Sequence, residues 1–207
     1  RIVFEGGVEP VLRGALSTVA QAADLLVVEG ARNGFLGGAA VGLDLAAIMV
    51  QRGRDAGVPS FGAVRAALGL PNVTASWADL VATGRLPAKT GARVAARLAE
   101  VYGRPDDVDL LVGGLLEAPA AGSDGVLGAT LARLTVEQFV RTRAGDRFWF
   151  ENPASPLAGV YDTLGGGMAA LRGTRMAAVL ERTTGIAVGA KGRRSALHVS
   201  GAPAAAA

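Results

Sequence analysis

The chain has 207 residues, half of them hydrophobic, and a mean hydropathy of +0.35, which supplies enough apolar surface for a sizeable core and excludes a disordered chain. The net charge of +3 and pI near 9.9 come from Lys and Arg interspersed with acids, so no tract suits a phosphate backbone and nucleic acid is excluded as a partner. Cysteine is absent, which excludes disulfides and thiolate metal sites, and charges interrupt every apolar stretch before the roughly 18 residues of a transmembrane helix.

Aromatic residues make up only 5% of the chain, while Ala, Leu, Arg and Val recur at helical spacing, so the expected fold class is mainly α. A turn at Gly6 and Gly7 leads into a helix begun by Pro10, with Val11, Leu12, Leu16 and Val19 as its buried side. A second helix is expected over 22–36, broken at Gly37 and Gly38. A third lies within 43–57, with Asp44 as N-cap and Gly57 and Pro59 as its stop. In 58–70, Pro59 opens a short helix closed near Gly69. The triplet Asn72-Val73-Thr74 matches a glycosylation sequon of a kind that arises often by chance.

Ser76 with Asp79 is a capping-box variant ahead of Trp77, Leu80 and Val81. Residues 88–102 form an amphipathic helix with Val94, Leu98 and Val101 inward and Gly103 after its end. Asp106 or Asp107 caps the next helix; the trio Asp106, Asp107 and Asp109 lacks the spacing of a calcium loop, so capping is the better reading. After a Pro/Gly-rich loop at 118–124, a long helix over 128–143 carries Leu131, Leu134, Val136, Phe139 and Val140 on more than one face, as suits burial in a complete domain. Residues 146–151 are aromatic and β-prone, with charges that pair and rings that fill core. An extended loop follows to Gly167, then a last helix over 168–183 that stops at Gly185. Residues 187–207 read as an irregular tail, in which the basic run 189–195 is a solubilising end.

The third helix carries the clearest chemical signal. At 3.6 residues per turn, Leu45, Ile48, Met49 and Arg52 share one face, so an apolar stripe ends in a fixed cation. Two readings are open for Arg52: it snorkels to water or pairs with a distant carboxylate, or it meets the anionic group of a ligand. At the end of this helix Arg54 suits the negative end of the macrodipole, and Asp55 needs another partner.

The segment 43–57, LDLAAIMVQRGRDAG, resembles the corresponding helix of the animal-type haem peroxidases, the myeloperoxidase and peroxidasin group. Segments 4–21, 107–119, 134–152 and 171–186 agree with that family in the same order. The resemblance implies the C-terminal part of a multi-helical peroxidase domain over residues 1–186, with a haem cofactor and hydrogen peroxide and a small electron donor (a halide, a phenol or similar) as substrates. It also implies a secreted or cell-surface location. The family's axial histidine, distal histidine, distal arginine and calcium residues match positions upstream of Arg1, so the partner implied is an N-terminal part in the same or a companion chain. The chain begins without Met or a signal peptide and enters mid-motif, which reads as a processed or partial chain. Its lack of cysteine fits a bacterial source better than a vertebrate secreted one.

By resemblance, Arg52 pairs with a haem propionate, and Leu45 and Ile48 pack near the macrocycle. Such a charge-assisted bond in a partly desolvated pocket contributes about 1.5 to 3 kcal/mol. Two departures matter. Met49 replaces the family's asparagine that accepts the axial histidine's N–H, and a thioether is a weak acceptor. Ala56 replaces a histidine at the helix end. These changes leave a second reading, a haem-free peroxidase-like domain that serves as a structural or interaction module. Met49 is expected to pack in the core rather than to ligate iron. The single histidine, His198, lies in the tail outside every motif and is incidental. No catalytic or metal-binding residue is assigned to this chain, and it is expected to be inactive alone. Glycines 165–167 before a helix have neither a preceding strand nor a following Walker lysine and read as a hinge, and no Ser/His/Asp or Cys/His set exists.

Overall fold

The computed structural model describes residues 7–18, 23–34, 44–123, 125–163 and 165–184. In chain order the helices are α1 (Glu9–Ser17), α2 (Leu45–Asp55), α3 (Phe61–Ala67), α4 (Trp77–Ala82), α5 (Ala88–Tyr102), α6 (Leu110–Leu116), α7 (Ala129–Gly145), α8 (Ala158–Thr163), α9 (Gly167–Gly173) and α10 (Met176–Thr184). A π-helical turn at Gly30–Gly34 and a 3-10 turn at Pro105–Asp107 complete the list. Among the described residues the β component is one isolated antiparallel bridge between Ser60 and Asp109, so the fold is mainly α.

The chain divides into two compact units, residues 23–137 and residues 1–22 with 138–207. In the first, Phe61, Leu80, Val81, Val108 and Leu116 are buried, and Trp77, Leu86, Val94, Leu98, Tyr102 and Leu110 pack against them. Phe61 opens α3 under a Ser60 cap whose Oγ accepts from the Ala63 N–H at 3.4 Å. The Phe61 ring rests on Gly113 of α6, where an added Cβ would lie 2.6 Å from Cδ1. At the next residue, Gly114, an added Cβ would come within 2.6 Å of Leu131. The pair GG in LLVGGLL therefore lets the Phe61 and Leu131 side chains pack directly against the α6 backbone.

A buried ion pair fastens the same corner. Arg65 of α3 and Glu117, just past α6, are 4% and 7% exposed. The Arg65 guanidinium donates to Glu117 Oε1, to Thr130 Oγ1 at 2.8 Å and to the Pro71 carbonyl at 3.0 Å. Glu117 Oε2 accepts from the Thr130 backbone N–H at 2.8 Å, so its charge also serves the N-terminus of α7. With these bonds the pair is satisfied, as burial of opposite charges requires.

Several expectations need correction. Residues 23–34 do not form a regular helix: Asp24 Oδ1 accepts from the Leu26 N–H at 2.7 Å in a local turn, β-branched Val27 and Val28 follow, and only the π-helical turn forms. On α5 the inward side is Gly91, Val94, Ala95, Leu98 and Tyr102, whereas Val101 is 68% exposed. Tyr102 packs against the core with its hydroxyl bonded to the half-buried Asp109, and Val101 faces outward. The N-cap of α6 is Asp109, not Asp106 or Asp107; Asp106 instead accepts from Thr74 Oγ1 at 2.5 Å. Residues 146–151 form turns rather than a strand, because the Asp146 carboxylate accepts from the Phe148 N–H at 2.8 Å.

Within the second unit, α1 starts near Pro10, but none of its residues is buried and Val11 is 45% exposed; Val19 lies outside the described residues. The Trp149 and Phe150 rings meet tilted at 45° with centroids 4.5 Å apart, and Arg147 lies over the Phe148 ring at 4.4 Å. The loop expected before Gly167 contains α8, and α8 packs on α9. The single last helix is divided into α9 and α10, since Thr174 after Gly173 takes an extended conformation. On α7, Val136, Phe139 and Val140 are exposed. The tail over 187–207, with His198, lies outside the described residues.

Candidate functional site

Helix α2 forms where its sequence signals place it. Asp44 is extended and caps the helix, accepting from the N–H groups of Ala46 at 2.8 Å and Ala47 at 3.2 Å. The Arg32 guanidinium adds a bond to Asp44 at 3.0 Å and, with the capping N–H groups, holds the carboxyl below its ordinary range. At the other end, Gln51 Nε2 donates to Asp55 at 2.7 Å, which supplies the partner Asp55 needs.

Along the stripe, Leu45 and Ile48 are half-buried, Met49 is 44% exposed, and the Arg52 side chain is exposed. None of the residues of α2 is fully buried. Among the described residues no carboxylate lies within ion-pair distance of Arg52. On the other side of the helix, Val50 and Gly53 border Leu110 and Leu111 of α6 across a groove of about 160 Å³ that Met49 and Asp109 also line. That volume is below the roughly 300–1,000 Å³ of sites that enclose a drug-sized ligand, so α2 presents an open wall with an apolar stretch and a terminal cation.

The residues therefore fit one side of a porphyrin site. A guanidinium suits a carboxylate in a bidentate bond, and aliphatic side chains suit a macrocycle edge. The chain's one histidine, His198, lies outside the described residues.

Sequence reasoning missed a polar cluster beside this helix. Arg54 donates from Nε to Asp109 Oδ1 at 3.0 Å and from Nη2 to Oδ2 at 2.7 Å, and the Tyr102 hydroxyl donates to Oδ2 at 2.7 Å. Arg54 holds the Asp109 carboxyl below its usual value, while burial and the bond to Asp109 push the Tyr102 phenol up to about 12. The three groups join α2, α5 and the start of α6. The available sequence signals were a tyrosine ending the apolar face of α5 and an aspartate opening an apolar run.

The sequence profile described as animal haem peroxidase matches residues 1–191. The chain is 40% identical to Drosophila melanogaster peroxidasin over 156 residues, which is 74% of this chain and 10% of that protein. It is 40% identical to Sus scrofa thyroid peroxidase over 156 residues, 74% of this chain and 16% of that one. With Dictyostelium discoideum peroxinectin A the identity is 38% over 148 residues, 71% of this chain and 26% of that one. In three dimensions it resembles peroxidase A from Dictyostelium discoideum, with a TM-score of 0.68 and 34% identity, covering 88% of this chain and 32% of that chain. The chain thus spans a tenth to about a quarter of the length of these curated relatives. Among the described residues no helix is long and apolar enough to cross a membrane.

Proposed function

Because the chain belongs to the animal haem peroxidase family, we propose that residues 1–186 form the C-terminal part of a peroxidase domain and supply the proximal side of its haem pocket. The observation that carries this reading is the exposed Arg52 cation at the end of the half-buried Leu45 and Ile48 stripe on α2. Arg52 would hold a haem carboxylate, and Leu45 and Ile48 would cover the macrocycle edge and exclude water from it. Haem, when bound, supplies hydrogen peroxide reduction coupled to oxidation of a small donor such as a halide or a phenol. The histidines for that chemistry come from an N-terminal part, in the same or a companion chain. Secretion or display at the cell surface accords with this reading.

A second reading is favoured by Met49, a thioether that stands where the family's amide accepts the axial histidine's proton. On that reading the domain keeps the fold without haem and serves as a structural or interaction module. The assembled protein separates the two. A Soret band that shifts when Arg52 is replaced by Ala supports the haem pocket, and no haem uptake leaves only the module.

A further inference from the structure

We infer that Asp109 is a positioning residue for Arg52, acting through Arg54 to hold the last turn of α2; this rests on the haem-carboxylate reading of Arg52. Asp109 occupies the N-cap of α6, yet its side chain makes no capping hydrogen bond. Aspartate is among the best capping residues, so the forgone local bond marks a carboxylate committed elsewhere. Both its oxygens are taken, Oδ1 by Arg54 and Oδ2 by Arg54 and Tyr102.

The anchor sits beside the buried core, and the helix it grips is only half-buried. Asp109 follows the fully buried Val108, whose carbonyl accepts from the Phe61 N–H at 2.8 Å, and it forms the backbone bridge with Ser60. Helix α2 contains no fully buried residue to fix its rotation. A two-point guanidinium–carboxylate bond fixes orientation as well as distance. Arg52 and Arg54 stand about 200° apart around α2, so clamping Arg54 towards α6 turns Arg52 to the opposite side. At the far end of the helix the Arg32 bond to Asp44 holds the first turn. Rotation of the last turn, which would carry Arg52 away from a haem carboxylate, is opposed by Asp109.

The test uses the assembled protein and the ratio of its affinities for haem and for haem dimethyl ester, which lacks free carboxylates. Wild type is expected to prefer the diacid, and Arg52→Ala to lose that preference. Asp109→Asn and, at an exposed position, Arg54→Gln should each lower the preference several-fold with the ester's affinity unchanged, and the double variant should be no worse than either. General damage to the fold would weaken both ligands alike. If Asp109→Asn and Arg54→Gln keep the wild-type preference while Arg52→Ala loses it, the positioning role is overturned and the haem-carboxylate reading stands. Equal affinity of wild type for both ligands overturns that reading and the inference with it.

Discussion

Arg54 grips both carboxylate oxygens of Asp109 across 55 positions of sequence, and the same carboxylate receives the Tyr102 hydroxyl. This contact ties the helix that bears Arg52 to the buried part of its unit, and it gives the chain a defined pH response. The Asp109 carboxyl is held below its ordinary 3.8 by Arg54, so its contribution to stability is full above that value and is lost as pH falls through the lowered folded pKa. Burial and the Asp109 bond raise Tyr102 from 10.0 to about 12, so its contribution is full below 10.0 and is lost as pH rises through about 12. Urea unfolding across pH should show Asp109→Asn flattening part of the acid limb and Tyr102→Phe flattening part of the alkaline limb. Acid and alkaline limbs unaltered in both variants would contradict the coupling.

The Arg65 and Glu117 pair predicts a marked asymmetry. Glu117→Leu alone leaves a buried guanidinium without its anion and should cost about 3–5 kcal/mol in denaturant unfolding. Replacing both partners, as Arg65→Met with Glu117→Leu, should recover most of that loss, because neither desolvated charge remains. A double variant as unstable as the single one would show that the bonds to Thr130 and Pro71, rather than charge balance, matter most.

Close packing at α6 predicts opposite signs for two glycine substitutions. Gly113→Ala would place a Cβ 2.6 Å from Phe61 Cδ1 and should destabilise by about 1–3 kcal/mol. Gly53→Ala in α2 meets nothing within 4 Å and should stabilise the helix by about 0.5–1 kcal/mol. The two midpoints in a urea titration should move apart.

Much of this architecture is legible in the sequence where the signals are local. Asp44 and Ser76 cap their helices as their positions indicate, and Gly103 ends α5 with a positive φ of +71°, whereas α3 opens at Phe61 under a Ser60 cap rather than at the expected Pro59. What local pattern hides is the tertiary partner. Arg65 lies one turn after Phe61 on the inner face of α3 and is buried, but nothing near it in the sequence signals that burial or names Glu117 as its anion. Val101 and Tyr102 differ by one position on α5, and only the distant Asp109 decides which turns inward. At 23–34 the apolar spacing suggests a helix, while β-branched residues and a side-chain turn at Asp24 favour another conformation. On α2, spacing identifies the stripe and its cation, but no local pattern names a partner for Arg52.

The chain by itself should show no peroxidase turnover, since its one histidine, His198, falls outside every family motif. Guaiacol oxidation with added haemin should equal the haemin blank. Oxidation above that blank would mean that this chain supplies an axial ligand of its own.

The central claim is the pairing of Arg52 with a haem carboxylate, and a crystal structure of the haem-loaded assembled protein tests it most directly. The account predicts an Arg52 nitrogen at about 2.7–2.9 Å from a carboxylate oxygen of the porphyrin, with Leu45 and Ile48 against its edge. An Arg52 side chain directed into solvent, with both carboxylates held by other residues, would contradict it.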